Sequence, residues 1–279
     1  MGNSRNSYLI KNTMIFTLGN LGSKLISFFL IPLYTNALTT TEYGVVDLIA
    51  TVGTVAVPVL TLNICESVMR FALDKNANKD KITQIGTNLL LIGMVVGLVI
   101  FPICHSFNRI SQYSVFVYFY VISLAASQLY LCDLRGKELL VYYSIGNVLH
   151  TFFIAALNIL FLVVFKGGIE GYLNAYIIAN ILTATYALIM GKGYRSFSFS
   201  GVDKKLLQRM IKYSIVLIPN SFMWWIMNSS DRVMVSSMVG IAANGIYAVS
   251  YKLPTLVSTL TTIFNQAWSY SAIREEGTE

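Results

Sequence analysis

The sequence predicts an all-α, polytopic membrane helix bundle of about eight transmembrane helices: one complete six-helix lobe followed by the first two helices of a second. Three observations predict it. Hydrophobic residues make up 55% of the 279 and charged residues only 12%, well below the roughly 25% of an ordinary soluble domain. Apolar runs long enough to cross a hydrocarbon core, roughly 20 residues each, recur along the whole chain. Lysine and arginine concentrate in alternate connections between those runs, the bias that orients a chain in a bilayer. The runs must be helices, because lipid offers no partner to a backbone amide, and they are too long and too little alternating for barrel strands.

The first span, 8–34, carries Lys24 near its middle. A membrane-central lysine costs roughly 2.5 to 3.5 kcal/mol on insertion scales and therefore marks a bundle interior or a wet cavity. Thr13, Thr17, Asn20, Lys24 and Ser27 alternate steps of four and three, which stacks them into one polar stripe on a helix. The plainer alternative is that Lys24 pairs with a neighbouring carboxylate and holds helices together. Span two, 43–68, puts Asp47, Thr51, Thr54, Pro58 and Thr61 on one face and ends on Cys65 and Glu66. Spans three to six run 82–104, 113–134, 139–165 and 169–190. The fifth contains His150 beside Asn147 and Thr151, which reads more readily as a hydrogen-bonded core histidine than as a proton relay. Span seven, 209–235, aligns Asn220, Trp224, Asn228 and Asp231, with Arg232 next to them. Span eight, 243–270, aligns Lys252, Thr255, Thr259, Thr262 and Gln266. Pro58, Pro219 and Pro254 fall inside spans two, seven and eight, where each removes a backbone hydrogen bond and can kink the helix.

The polar stretch GKGYRSFSFSGVDKK from Gly191 to Lys205 separates spans six and seven. It divides the chain into a six-helix lobe at 1–195, a cytoplasmic linker at 196–208 and the start of a second lobe at 209–279. Sliding the sequence by 201 residues places Gly44 on Gly245 and the triplet from Cys65 to Ser67 on Gln266 to Trp268. Six spans per repeat preserve orientation, so the halves are expected as parallel repeats about an axis along the membrane normal. If so, the chain ends two helices into its second half, and either it is a fragment or the repeat is an accident.

Fifteen of the 20 lysines and arginines lie at the ends of the chain or in and immediately beside the even-numbered connections, counting Lys11, Arg209 and Lys212 at the margins of spans one and seven. Arg109 and Lys166 alone lie in the odd ones, and Lys24, Arg232 and Lys252 lie inside spans. This places the N-terminus in the cytoplasm. The net charge of +7 does not point to nucleic acid, since the basic residues do not gather with aromatics on one water-facing surface. Cys65, Cys104 and Cys132 show no CxxC or metal spacing and are expected as packing residues without a disulfide. Neither catalytic nor cofactor-binding motifs stand out, and the loops lack the paired carboxylates of a metal-dependent transferase. Within the spans, Lys24, Arg232 and Lys252 outweigh Asp231 and Glu66, while Asp47 lies near an outer end. Such a lining favours an anionic ligand, and an arginine fork suits phosphate oxygens.

The segments TEYGVVDL, CDLRGKELLVYYSIGN, GGIEGYLNAYIIANI and SSDRVMVSSMVGIAANGIYAVSYKLPTL resemble the polysaccharide transporter family. This is the O-antigen, or lipid-linked oligosaccharide, flippase branch of the multidrug/oligosaccharidyl-lipid/polysaccharide exporter superfamily. The resemblance implies a non-enzymatic transporter of the bacterial cytoplasmic membrane that moves polyprenyl-diphosphate-linked oligosaccharide through a cationic cavity between two lobes. It also implies partners that polymerise the sugar and set its chain length. On this reading Lys24, Arg232 and Lys252 attract the diphosphate, Asn20, Asn220 and Gln266 bind sugar hydroxyls, and Asp47, Glu66 and Asp231 serve ion coupling. A multidrug exporter of the same superfamily is the first alternative, but it is expected to present an acidic cavity. A membrane sugar polymerase or transferase is the second, and the short loops argue against it.

Overall fold

A computed structural model of the chain describes residues 26, 28–74, 76–105, 111–199, 201–255, 257–258 and 261. Among these residues every regular element is helical. Five helices are long and apolar enough to cross a membrane: Thr40–Leu60, Lys79–Val99, Ser111–Gly136, Leu140–Val164 and Gly168–Met190. They coincide with expected spans two to six, and the protein is a multi-pass membrane protein. Expected span seven falls on a 35-residue helix, Lys204–Met238, which is ample in length but less apolar because of its basic first turns and polar stripe. Most of spans one and eight lies outside the described residues.

The short helix α1 (Ile31–Ala37) carries Pro32 in its first turn, where the missing N–H costs nothing. Helix α2 (Thr40–Leu60) begins with a capping box: Thr39 Oγ1 accepts from Glu42 N at 3.2 Å, and Glu42 Oε2 accepts from Thr39 N at 2.8 Å. The expected continuous span two is corrected here. Leu62 and Asn63 adopt left-handed backbone angles, φ 52° and 53°, and the chain restarts as α3 (Ile64–Ala72), carrying Cys65 and Glu66. Pro58, one turn earlier, has already removed a ladder bond, and asparagine tolerates the left-handed region.

Helix α4 (Lys79–His105) leads to α5 (Ser114–Gly136), and α6 (Leu140–Asn158) widens into a π-helical turn over Ile159–Val164. Helix α7 (Gly168–Met190) follows. Asp203 caps α8 (Lys204–Met238) by accepting from Lys205 N and Leu206 N, and α9 (Ile241–Ser250) turns back at the far end.

The core forms where α5 packs on α3, α4 and α7, with Ile64, Val68, Ile82, Ile85, Leu134 and Leu173 fully buried. Helix α6 packs mainly on α7 and turns Val141, Ile145, Val148 and Phe152 outward, a surface suited to lipid and not to water. Two polar ties cross this core. Lys137 Nζ donates to Asp133 Oδ2 at 2.6 Å and to Gly191 O at 2.8 Å, while Thr83 Oγ1 donates to Asp133 Oδ1 at 2.6 Å, joining α4, α5 and the end of α7. His150 Nε2 lies 2.9 Å from Asn180 Oδ1, and Asn180 Nδ2 donates to Ser123 Oγ at 3.4 Å. The expectation for the cysteines is also corrected. Cys65 and Cys132 form a disulfide between α3 and α5, because the packing of those helices brings their Cα atoms to 5.8 Å, within bridging range. The side chain of Cys104 is outside those described.

Candidate functional site

Helices α2 and α9 both begin at the end of the bundle opposite its basic connections, and they cross in their first turns. Glycine at both contact points permits the approach. A Cβ on Gly44 would lie 2.0 Å from Ile241 O, and one on Gly245 would lie 1.9 Å from Thr40 O. The same offset of 201 residues relates Gly44 to Gly245 and Thr40 to Ile241, so the two contacts are equivalent under it. Asn244, fully buried, donates from Nδ2 to Gly44 O at 3.2 Å. A cavity of about 210 Å³ flanks the crossing, below the size usual for a small-molecule site.

The far half of α8 runs alongside and supplies charge. Arg232 Nη1 donates to Asp47 Oδ1 at 2.5 Å, with side-chain exposures of 18% and 7%. Asn244 Nδ2 reaches the other oxygen, Asp47 Oδ2, at 3.4 Å. The Arg232 guanidinium lies over the Tyr251 ring, 5.5 Å from its centroid, a favourable cation–π position. Its Nε is buried and has no acceptor among the described residues. Asp231 accepts from the Tyr247 hydroxyl and from Arg232 N, so neighbouring acid and base face different partners. Lys252 is near enough for its charge to act on Asp47. Two further bonds tie α8 to this side of the bundle: Trp225 Nε1 donates to Thr51 O of α2 at 2.9 Å, and Asn63 Nδ2, in the break after α2, donates to Ser221 Oγ at 3.2 Å.

The structure thus gathers four of the residues expected at a site: Asp47 from α2, Asp231 and Arg232 from α8, and Lys252 from the turn just beyond α9. It does not bring Glu66 or Asn220 to them. Glu66 is exposed at the start of α3, where its charge suits the helix N-terminus, and roughly 20 Å of α2 separates Asp47 from that break. Asn220 is exposed about 18 Å before Arg232 on α8. Lys24, Asn20 and Gln266 lie outside the described residues. Asn244, Tyr247 and Tyr251 were not expected. Their spacing of three and four places them on one face of α9, which is the signal that could have found them. Among the described residues no group of histidine, cysteine and carboxylate side chains is placed to hold a metal ion.

Comparison with curated proteins gave no significant match. A solved structure of a MOP superfamily transporter from Pyrococcus furiosus superposes with a TM-score of 0.50 at 15% identity, over 96% of this chain and 68% of that one. The shared fold is therefore that of a MOP transporter. The family model described as polysaccharide biosynthesis protein matches residues 9–270. With nearly its whole length matched, the chain belongs to the polysaccharide biosynthesis protein family.

Proposed function

We propose that the protein is a flippase that carries polyprenyl-diphosphate-linked oligosaccharide across the bacterial cytoplasmic membrane, for O-antigen, capsule or exopolysaccharide synthesis. The observation that carries this reading is the Arg232 guanidinium, set inside a membrane bundle where α2, α8 and α9 meet, with one buried donor still lacking an acceptor among the described residues. A diphosphate offers the oxygens that such a fork accepts. A hydrated, anionic headgroup needs a polar path with positive charge, while its polyprenyl tail can stay in lipid.

In this reading residues 1–195 form one lobe, 196–208 the cytoplasmic linker and 209–279 the start of the second lobe. The N-terminus faces the cytoplasm, so the α2–α9 crossing lies at the outer side. Lys24, Arg232 and Lys252 receive the diphosphate, and Asn20, Asn220 and Gln266 bind sugar hydroxyls. Asp47, Glu66 and Asp231 serve coupling to an ion as the lobes rock between inward and outward forms. Polymerising and chain-length partners act on the product.

Deletion of the gene in its native host tests the proposal. Lipid-linked oligosaccharide should accumulate on the cytoplasmic leaflet, and re-expression of the gene should clear it. Lys24→Ala should abolish clearance while leaving membrane insertion intact. No accumulation on deletion would refute the reading, and altered drug sensitivity of the deletion strain would then point to an exporter.

A further inference from the structure

We infer that Asp47 is a built-in stand-in for the ligand's anion: it holds Arg232 while the α2–α9 crossing is closed and yields it to an arriving phosphate, which lets the crossing part. The inference rests on the flippase reading for the identity of that phosphate, a diphosphate-linked lipid, and on geometry alone for the latch.

Three features of the geometry support it. The Asp47–Arg232 contact is made by one oxygen and one nitrogen, and the Arg232 Nε beside it is buried without an acceptor among the described residues. A carboxylate held this way leaves the fork partly used, whereas phosphate oxygens can take two parallel donors. Next, Asp47 is joined to the crossing itself. One side-chain amide, Asn244 Nδ2, donates to both Asp47 Oδ2 and Gly44 O, so the carboxylate and the glycine contact share a donor. Finally, Asp47 sits on α2 while Arg232 and Asn244 sit on α8 and α9. Its pairing therefore ties the two sides of the crossing together, and its loss removes two of those ties at once. The groups acting on Asp47 are Arg232, Lys252 and Asn244 on its attractive side and Asp231 on the repulsive side. With Asp231 engaged by Tyr247, it is not positioned to replace Asp47 on the guanidinium.

Ala248 is fully buried on α9, three and four residues after Gly245 and Asn244 and so on their face. The test places a cysteine there (Ala248→Cys) in the full chain, with Cys65, Cys104 and Cys132 replaced by serine. Its reaction with a membrane-impermeant maleimide is followed from the outer side of substrate-free vesicles. Labelling should be slow in that parent and at least about tenfold faster with Asp47→Asn, since removing one partner of a buried pair undoes its constraint. The exchanged pair, Asp47→Arg with Arg232→Asp, should return labelling towards the parent rate. If the single variant fails to insert, Asp47→Asn with Arg232→Gln leaves no unpaired charge and should label as fast. Equal rates in parent and variants would overturn the latch, whatever the protein transports. Polyprenyl diphosphate added to the vesicles should speed labelling of the parent and leave the Asp47→Asn protein unchanged. If Asp47→Asn opens the crossing but the lipid does not, the exchange is overturned. Failure of the flippase reading is read separately, from the absence of lipid-linked oligosaccharide in the deletion strain.

Discussion

Alanine at Gly44 should destabilise the protein although it lies inside a helix, where alanine is normally the better residue. The new methyl would stand 2.0 Å from Ile241 O, and real Cβ contacts essentially never fall below 3.0 Å. The obstacle is a backbone carbonyl committed to its own helix, so no rotamer change relieves it, and α9 must retreat by roughly 1 Å or more in a close-packed bundle. Overpacking of this kind costs about 1 to 3 kcal/mol, against a helix-propensity gain of at most about 1 kcal/mol. Because a 2.0 Å approach to a backbone atom belongs at the upper end of that range, the net expectation is a loss of about 2 kcal/mol. Gly245→Ala meets Thr40 O at 1.9 Å and should cost as much. Because both substitutions push apart the same crossing, the double variant should lose less than the sum of the singles. Scanning fluorimetry of the detergent-solubilised protein reads the melting temperatures. Gly97→Ala is the control, since its nearest neighbour is the ring of Tyr118 at 3.2 Å, a side chain able to yield. If Gly44→Ala melts at or above the parent while Gly97→Ala does the same, the two backbones do not touch as described.

Lys137→Met should cost about 3 to 5 kcal/mol, because it strands the buried Asp133 and removes the bond to Gly191 O; an unchanged denaturation midpoint would show that the pair does not hold α5 to α7. Asn180→Leu deprives His150 and Ser123 of a shared buried partner and should cost about 1 to 3 kcal/mol by the same measurement. Cys65→Ser opens the bridge to Cys132 and should lower stability by about 2 to 4 kcal/mol. Intact-mass analysis after alkylation should show two extra labels only when reductant is present, and equal labelling without reductant would rule the bridge out.

Much of the fold is legible in the sequence because lipid imposes a length. Spans three to six, and the start of span two, were located within a few residues by their apolar runs alone, since a long helix satisfies its own backbone in lipid. The break after α2 was not legible. Pro58 inside an apolar run reads as a kink, and the left-handed turn at Leu62 and Asn63 depends on what α3 then packs against. Helical periodicity correctly placed Asp47 on a polar stripe and Arg232 beside another, but it reports a face and never a partner. That the two meet follows from the placement of α8 against α2, across 185 residues of sequence. The same limit explains Asn220, which shares a stripe with Asp231 but lies on a part of the 35-residue helix too far along to join the cluster. Cys65 and Cys132 carry no motif, and only the packing of α3 on α5 reveals their proximity.

The interruption after α2 is matched on the facing helix. Pro219 lies two residues before Ser221, the acceptor for Asn63, so the turns weakened by Pro58 and Pro219 stand side by side and are joined by a hydrogen bond. Each proline has already surrendered a rung of its helix ladder, and bending there forfeits less than bending anywhere else along either element. A bend at this level would therefore move the charged cluster, above it on α2 and α8, against the basic turns below it on α3 and α8.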